Sequence, residues 1–425
     1  MSPIMTAGII MGATLICFFH PKVPNVPVAI AAGFAFVITG ILPATAMFNS
    51  FTSNTTILMI GMMTIGGAMF RTGLAGWIGK KLMGITGAKK GQVQLAVMLT
   101  TMCIAPFVTG TATLMIMYPL ICSIAISTKI SMSDLVLYQM GGSYAGSSWT
   151  FTGMGMIATT AAILEASGYR IWSYFEIAYF GVPSTIIFVS ALFLFGNRFI
   201  LKGYKFKEPD AAAAAETKEL PDKFTLRMGI VAFILAATLA GFIINNPRFT
   251  PPICAVMGAL ACLFTGSLTP KQMYTAINWD IIMLIGGMSA FARGIDVSGF
   301  GKLIANSILG FTGAEASPLL ICFIILIVTG LITQFMSDNA AAALMAPIAI
   351  TLAVSQGGTH VHAYVFAALV GSTLCHLSII SSPSLAFVQQ LGGYDNKYFL
   401  KFGSMLELPA NLIGALLVLI FVYLR

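Results

Sequence analysis

Residues 92–127 run without one charged side chain, and they are too long for a single membrane crossing. As one helix at 1.5 Å per residue the segment would overshoot the hydrocarbon core of a bilayer by more than about 20 Å. Pro106, Gly110 and Pro119 interrupt it, and basic residues flank it at Lys89, Lys90 and Lys129. Two half-helices folded into a re-entrant hairpin fit these facts, provided that the tip is buried in protein. The rest of the chain demands the same solvent. Of its 425 residues 58% are hydrophobic and 8% charged, with a mean hydropathy of +0.92, whereas soluble domains carry about 25% charged residues. The apolar runs cover the whole length, so the expected fold is an all-α polytopic membrane protein.

The net charge of +8 lies in short loops and reports topology, not nucleic-acid binding. The first apolar run, 6–19, has no basic stretch before it and no small-residue cleavage site after it, and is read as a transmembrane helix. All seven cysteines sit in apolar runs without CxxC spacing, which points to neither disulfides nor zinc. His360 and His362 are read as members of a solvated loop.

One polar segment, 197–227, carries seven Lys/Arg and five Asp/Glu. It reads as a cytoplasmic linker between two halves, 1–196 and 228–425. The halves resemble each other. TGLAGWIGKKLMGITGA (72–88) aligns without gaps to SGFGKLIANSILGFTGA (298–314), repeating Gly73, Ile78, Gly84, Thr86, Gly87 and Ala88. In order downstream, Pro119 matches Pro347, Gly168–Tyr169 matches Gly393–Tyr394, Tyr174–Phe175 matches Tyr398–Phe399, and Pro183 matches Pro409. The first half offers spans near 4–20, 25–43, 54–70, 135–164 and 174–196, plus the hairpin at 92–127. An odd number of crossings inverts the second half, whose hairpin falls near 318–354. The expectation is an inverted-topology repeat of about five spans and one hairpin per half, about ten spans in all. Both termini then lie outside the cell membrane. Secondary transporters share this architecture, with sites near the midplane at broken helices.

Four interruptions stand at corresponding places. The hairpin tips are Thr109–Gly110–Thr111 and Ser337–Asp338–Asn339. The breaks in the following helices are Thr152–Gly153–Met154–Gly155 and Ser381–Ser382–Pro383–Ser384. Half-helix N-termini favour anions, while freed carbonyls and hydroxyls suit Na+. The substrate candidates are therefore Thr109, Gly110, Thr111, Thr152, Ser337, Asp338, Asn339, Ser381 and Ser382. The Na+ candidates are Thr109, Thr111, Thr152, Gly153, Gly155, Ser337, Asp338, Asn339, Ser381 and Ser384.

With these motifs, RTGLAGWIGKKLMGITGAKKG…FVTGTATLMIMYPL and QFMSDNAAAALMAPI, nearly the whole chain resembles the divalent anion:sodium symporter family of the ion-transporter superfamily. That resemblance implies a homodimer with a scaffold and a mobile domain, and elevator-type movement. It also implies Na+ between each tip and its neighbouring break, with di- or tricarboxylates or sulfate as substrate. The family's Ser-Asn-Thr tip motif is replaced here by Thr109–Gly110–Thr111 and Ser337–Asp338–Asn339. The first tip loses an amide and gains space; the second gains an acid.

Asp338 has three readings: a Na+ ligand, a proton carrier whose charge is removed when substrate binds, or an N-cap of the half-helix after it. Asp280 reads as an N-cap at a membrane entry, while Arg71 and Arg293 read as helix-end snorkels. His376 and Glu407 face either a cavity or a packing interface. The function expected is cation-coupled transport of a small organic anion, with Na+ or H+ as coupling ion and no other cofactor. A cation/proton antiporter on the same scaffold is the alternative. Enzymes are disfavoured by the lack of a Ser/Lys or Asp/Asp pair or HExxH spacing, and a channel by the lack of a charged ring.

Overall fold

The computed structural model describes residues 1–20, 22–78, 81, 89–195, 223–244, 246–312, 316–374, 382–394, 401 and 408–423. Linker residues 197–222, Ser381, His376, Glu407 and the Tyr398–Phe399 match lie outside the described residues. The first half contains α1 (Pro3–Phe19), α2 (Asn25–Ile38), α3 (Ala44–Phe51), α4 (Asn54–Arg71), α5 (Lys90–Ile104), α6 (Gly110–Thr128), α7 (Met132–Ser147), α8 (Gly155–Ala166) and α9 (Ala178–Phe195). The second contains α10 (Leu226–Ile244), α11 (Pro251–Phe264), α12 (Pro270–Ala276), α13 (Trp279–Val297), α14 (Phe300–Thr312), α15 (Pro318–Ile332), α16 (Asp338–Ser355), α17 (Val361–Thr373), α18 (Pro383–Gly392) and α19 (Leu408–Tyr423). Among the described residues no strand forms beyond one isolated bridge, Asn246 to Phe249.

Local chemistry sets the helix ends. Ser53, Ser131, Ser317 and Ser337 each accept a backbone N–H of the helix they precede, the usual N-cap arrangement. Glycines in the left-handed region follow several C-termini: Gly40 and Gly266, Gly73 and Gly299, Gly168 and Gly393. Only glycine takes that conformation without a Cβ clash. The sequence pairs 73/299 and 168/393 therefore mark the same turn geometry in each half.

Among the described residues three helical stretches are long and apolar enough to cross a bilayer unaided: Ala44–Arg71, Leu226–Ile244 and Asp338–Ser355. The pair α12 and α13, bent by 60°, makes a fourth. Many other helices are apolar but short, because the chain breaks where Pro, Gly and Ser cluster. The expected span 135–164 is two helices, α7 and α8, and the expected hairpin 92–127 is α5 and α6 around a 3-10 turn at Ala105–Phe107.

Packing partners recur between the halves. Helix α2 packs on α13, and α4 on α11. Likewise α5 and α6 pack on α7 while α15 and α16 pack on α17, and α6 meets α18 while α8 meets α16. The α7 backbone lies directly on α5, where a Cβ at Gly142 or Gly146 would come 2.2 Å from the Met98 or Met102 carbonyl oxygen. Such small-residue seams let helices approach in lipid, where no hydrophobic effect drives them together.

The end of α8 is fastened to the start of α4. The Glu165 carboxylate accepts from the Asn54 backbone N–H (3.0 Å), Asn54 Nδ2 (2.8 Å), the Thr55 backbone N–H (3.2 Å) and Thr55 Oγ1 (2.9 Å). It places an acid on a helix N-terminus, where the dipole favours it. Glu165→Ala is expected to destabilise the protein by about 1 kcal/mol, the usual effect of losing a helix cap. The thermal midpoint in detergent would fall.

Candidate functional site

A cavity of ≈ 670 Å³ opens where the two hairpin tips meet, a size that suits a small-molecule ligand. Thr109, Gly110, Thr111, Ser337, Asp338 and Asn339 line it from the tips, and Gly153, Gly155, Ser382 and Ser384 from the breaks. The structure thus brings together every described candidate except Thr152.

Thr152 stands behind the wall and is fully buried. Its Oγ1 lies 3.1 Å from the Pro106 carbonyl, to which it donates, and 2.8 Å from the Tyr174 hydroxyl. It ties the break of the first half to the tip of the first hairpin instead of facing the cavity. The Gly110 N–H makes the same connection by donating to the Gly153 carbonyl at 3.2 Å.

Each tip also reaches the break of the other half. Thr111 Oγ1 and Ser384 Oγ are 2.6 Å apart. On the other side, a Cβ at Gly155 would come within 2.7 Å of Asn339 Oδ1, so a larger residue there would have to push that side chain aside.

At the second tip Ser337, not Asp338, is the N-cap. Its Oγ accepts the Ala340 N–H at 3.2 Å and a hydrogen bond from Asn25 Nδ2 at 2.8 Å. Asp338 occupies the first turn of α16, is 8% exposed, and accepts the Asn339 N–H on Oδ1 at 2.7 Å. The capping expectation for Asp338 therefore passes to its neighbour.

The first tip corrects another expectation. The space beside Gly110 is not open: a Cβ there would lie 3.0 Å from Ser147 Oγ and 3.1 Å from Ser143 Oγ. The Ser143 hydroxyl donates to the Gly110 carbonyl at 2.9 Å. Hydroxyls from α7 fill the volume that a tip side chain would otherwise occupy.

Sequence reasoning missed a third wall. Pro24, Asn25, Asn278 and Asp280 line the cavity from the starts of α2 and α13. Asn278 is the N-cap of α13, accepting the Ile281 N–H at 3.4 Å, and Asp280 sits in its first turn. The N-cap signature at 278–280 was visible in the chain, but its distance from both tips gave no sign of a shared cavity. His362, expected in a solvated loop, stands instead in the first turn of α17, with Nε2 2.8 Å from the Arg170 carbonyl.

Six helices now begin at one cavity: α2, α6, α8, α13, α16 and α18. Of these, α2, α6, α8 and α18 have no side-chain hydrogen bond at the N-cap. Unsatisfied N–H groups and positive dipole ends make helix N-termini anion-binding elements. The described lining contains no Lys, Arg or His, and its charged side chains are Asp280 and Asp338. Anion attraction must therefore come from backbone and hydroxyl groups. The two carboxylates are the lining groups suited to a cation or a proton.

Comparison with known proteins places this geometry in context. The chain is 29% identical over 199 residues to an uncharacterized transporter of Synechocystis sp., a match covering 47% of this chain and 31% of that protein. It is 24% identical over 404 residues to the sodium-dependent dicarboxylate transporter SdcS of Staphylococcus saprophyticus, covering 86% and 75%. In fold it is similar to the crystal structure of the YdaH transporter of Alcanivorax borkumensis, with a TM-score of 0.58, 13% identity and 98% of each chain covered. A family model described as citrate transporter matches residues 9–371, and the chain belongs to that citrate transporter family.

Proposed function

We propose that this membrane protein is a cation-coupled secondary transporter of a small organic polyanion, a di- or tricarboxylate or sulfate, that works by elevator-type alternating access. The observation that carries this reading is the convergence of six helix N-termini, four without side-chain caps, on one cavity between the hairpin tips. A polyanion satisfies those amides. Asp338, buried on the same cavity, is the lining carboxylate at which Na+ or H+ would balance the charge of the polyanion. SdcS, named as sodium-dependent and dicarboxylate-transporting, supports Na+ and a dicarboxylate. The family description supports citrate.

Residues 1–196 and 228–425 are the two inverted repeats in this reading. The paired left-handed glycines and the recurring packing partners support it. With the linker in the cytoplasm, the loops before α2 and α13 fall on the cytoplasmic side, so the cavity they border opens inward. Ser337 and Asn25 then bridge the mobile hairpin and a fixed helix. A homodimer accompanies this mechanism in the family the sequence resembles.

Proteoliposomes carrying the purified protein test the reading. Under an inward Na+ gradient, labelled succinate, citrate or sulfate should accumulate, and removing Na+ should abolish the accumulation. Two carboxylates on one cavity also suit cation exchange. Proton efflux driven by Na+ with none of the three anions taken up would replace the first reading with an antiporter.

A further inference from the structure

Ser147 is a buried hydroxyl with nothing to bond. It is 1% exposed, lines the cavity, and its Oγ has no hydrogen-bond partner among the described residues. Many hydroxyls inside the helices return to the carbonyl one turn back, as Thr101, Thr113 and Thr159 do. The hydroxyls of Thr100, Tyr138, Ser184 and Ser289 are buried without a partner among the described residues, as that of Ser147 is, but of these only Ser147 lines the cavity. Leaving a buried hydroxyl unpaired is unfavourable, so one that persists points to a partner outside the chain.

The surroundings select the partner. Ser147 Oγ faces Gly110, at 3.0 Å from where a Cβ would stand, and Gly110 opens α6 with no side-chain cap. The α6 amides after Gly110, whose own N–H is taken by the Gly153 carbonyl, and the hydroxyl are donors, and a helix N-terminus repels a cation. The lining carboxylates belong to the other elements, Asp338 on α16 and Asp280 on α13. The next serine on the same face, Ser143, already spends its proton on the Gly110 carbonyl. Gly110 lets the Ser147 hydroxyl come close to the tip, since a side chain there would crowd it.

We propose that Ser147 is a specificity-determining residue that donates to one carboxylate of the bound polyanion, with Ser143 holding the first tip at the distance this requires. The inference rests on the transport reading above. A donor that the first tip lacks is thus supplied from behind it by α7.

The test is Ser147→Ala in proteoliposomes, with succinate and citrate as probes. Charge-assisted hydrogen bonds are stronger than neutral ones. KM should therefore rise about tenfold or more for the anion that wild type carries, with Vmax and the Na+ half-saturation within about twofold. The thermal midpoint in detergent should hold or rise, because an unpaired buried hydroxyl has gone. Ser147→Cys, of similar size and a weak donor, should raise KM in the same direction. Unchanged KM, or a loss confined to Vmax and thermal stability, would overturn the assignment while the transport reading stands. Wild type taking up neither probe, nor sulfate, under a Na+ or a proton gradient would overturn both.

Discussion

Asp338→Asn is expected to cut Na+- or H+-driven uptake at least tenfold and to flatten its dependence on the coupling cation, while anion binding at equilibrium survives. The side chain is nearly isosteric, and Ser337 rather than Asp338 supplies the cap, so the α16 N-terminus should keep its geometry. The substitution is aimed at the charge. A carboxylate lining the same small cavity as a bound dianion repels it strongly when water is excluded. On the proposed transport reading, wild type would escape that repulsion by taking up a cation or proton with the substrate. In the asparagine variant no charge needs neutralising, so cation and anion should bind independently. Initial uptake rates across a series of Na+ concentrations and pH values measure this, alongside anion binding without a gradient. Cation dependence unchanged from wild type would place the coupling elsewhere, with Asp280 the next carboxylate on the cavity.

Gly153→Ala is expected to abolish transport and to destabilise the fold by about 1–3 kcal/mol, the range for forcing atoms into a packed interior. A Cβ at this position would stand 2.0 Å from the Ser147 carbonyl oxygen, and backbone cannot swing aside as a side chain can. The same residue accepts the Gly110 N–H, so displacing it also moves the first hairpin tip. Thermal unfolding in detergent should report the strain and proteoliposome uptake the lost activity. Wild-type values for both would mean that the break between α7 and α8 is more pliable than its contacts indicate.

Much of the site could be read from the chain, for a physical reason. In a lipid setting each break in a helix frees backbone groups that must find partners, so Pro, Gly and Ser clusters inside apolar runs carry information. Thr109–Gly110–Thr111 and Ser337–Asp338–Asn339 stood out for this reason. The turn glycines Gly73 and Gly299, and Gly168 and Gly393, aligned because their left-handed backbone admits little else. Residues that join the site through packing alone were not legible. Asn25 meets Ser337 across 312 positions of sequence. Ser143 and Ser147 lie on α7, which is buried on every side and so has no amphipathic pattern to mark the face that meets the cavity. Thr152 has the right residue type in the right break, but its side chain points at the Pro106 carbonyl. Residue type could not decide that orientation. The expectation of free space at Gly110 failed similarly, since the volume a missing side chain leaves depends on what the neighbouring helix places there.

The most direct test of one anion site shared by both tips is an experimental density map of the protein with citrate or succinate and Na+. The account predicts ligand density between Gly110 and Asp338, within hydrogen-bond reach of Ser147 Oγ and the N-terminal amides of α6 and α18. Anion density outside this cavity, or a cavity unchanged when the anion is omitted, would contradict it.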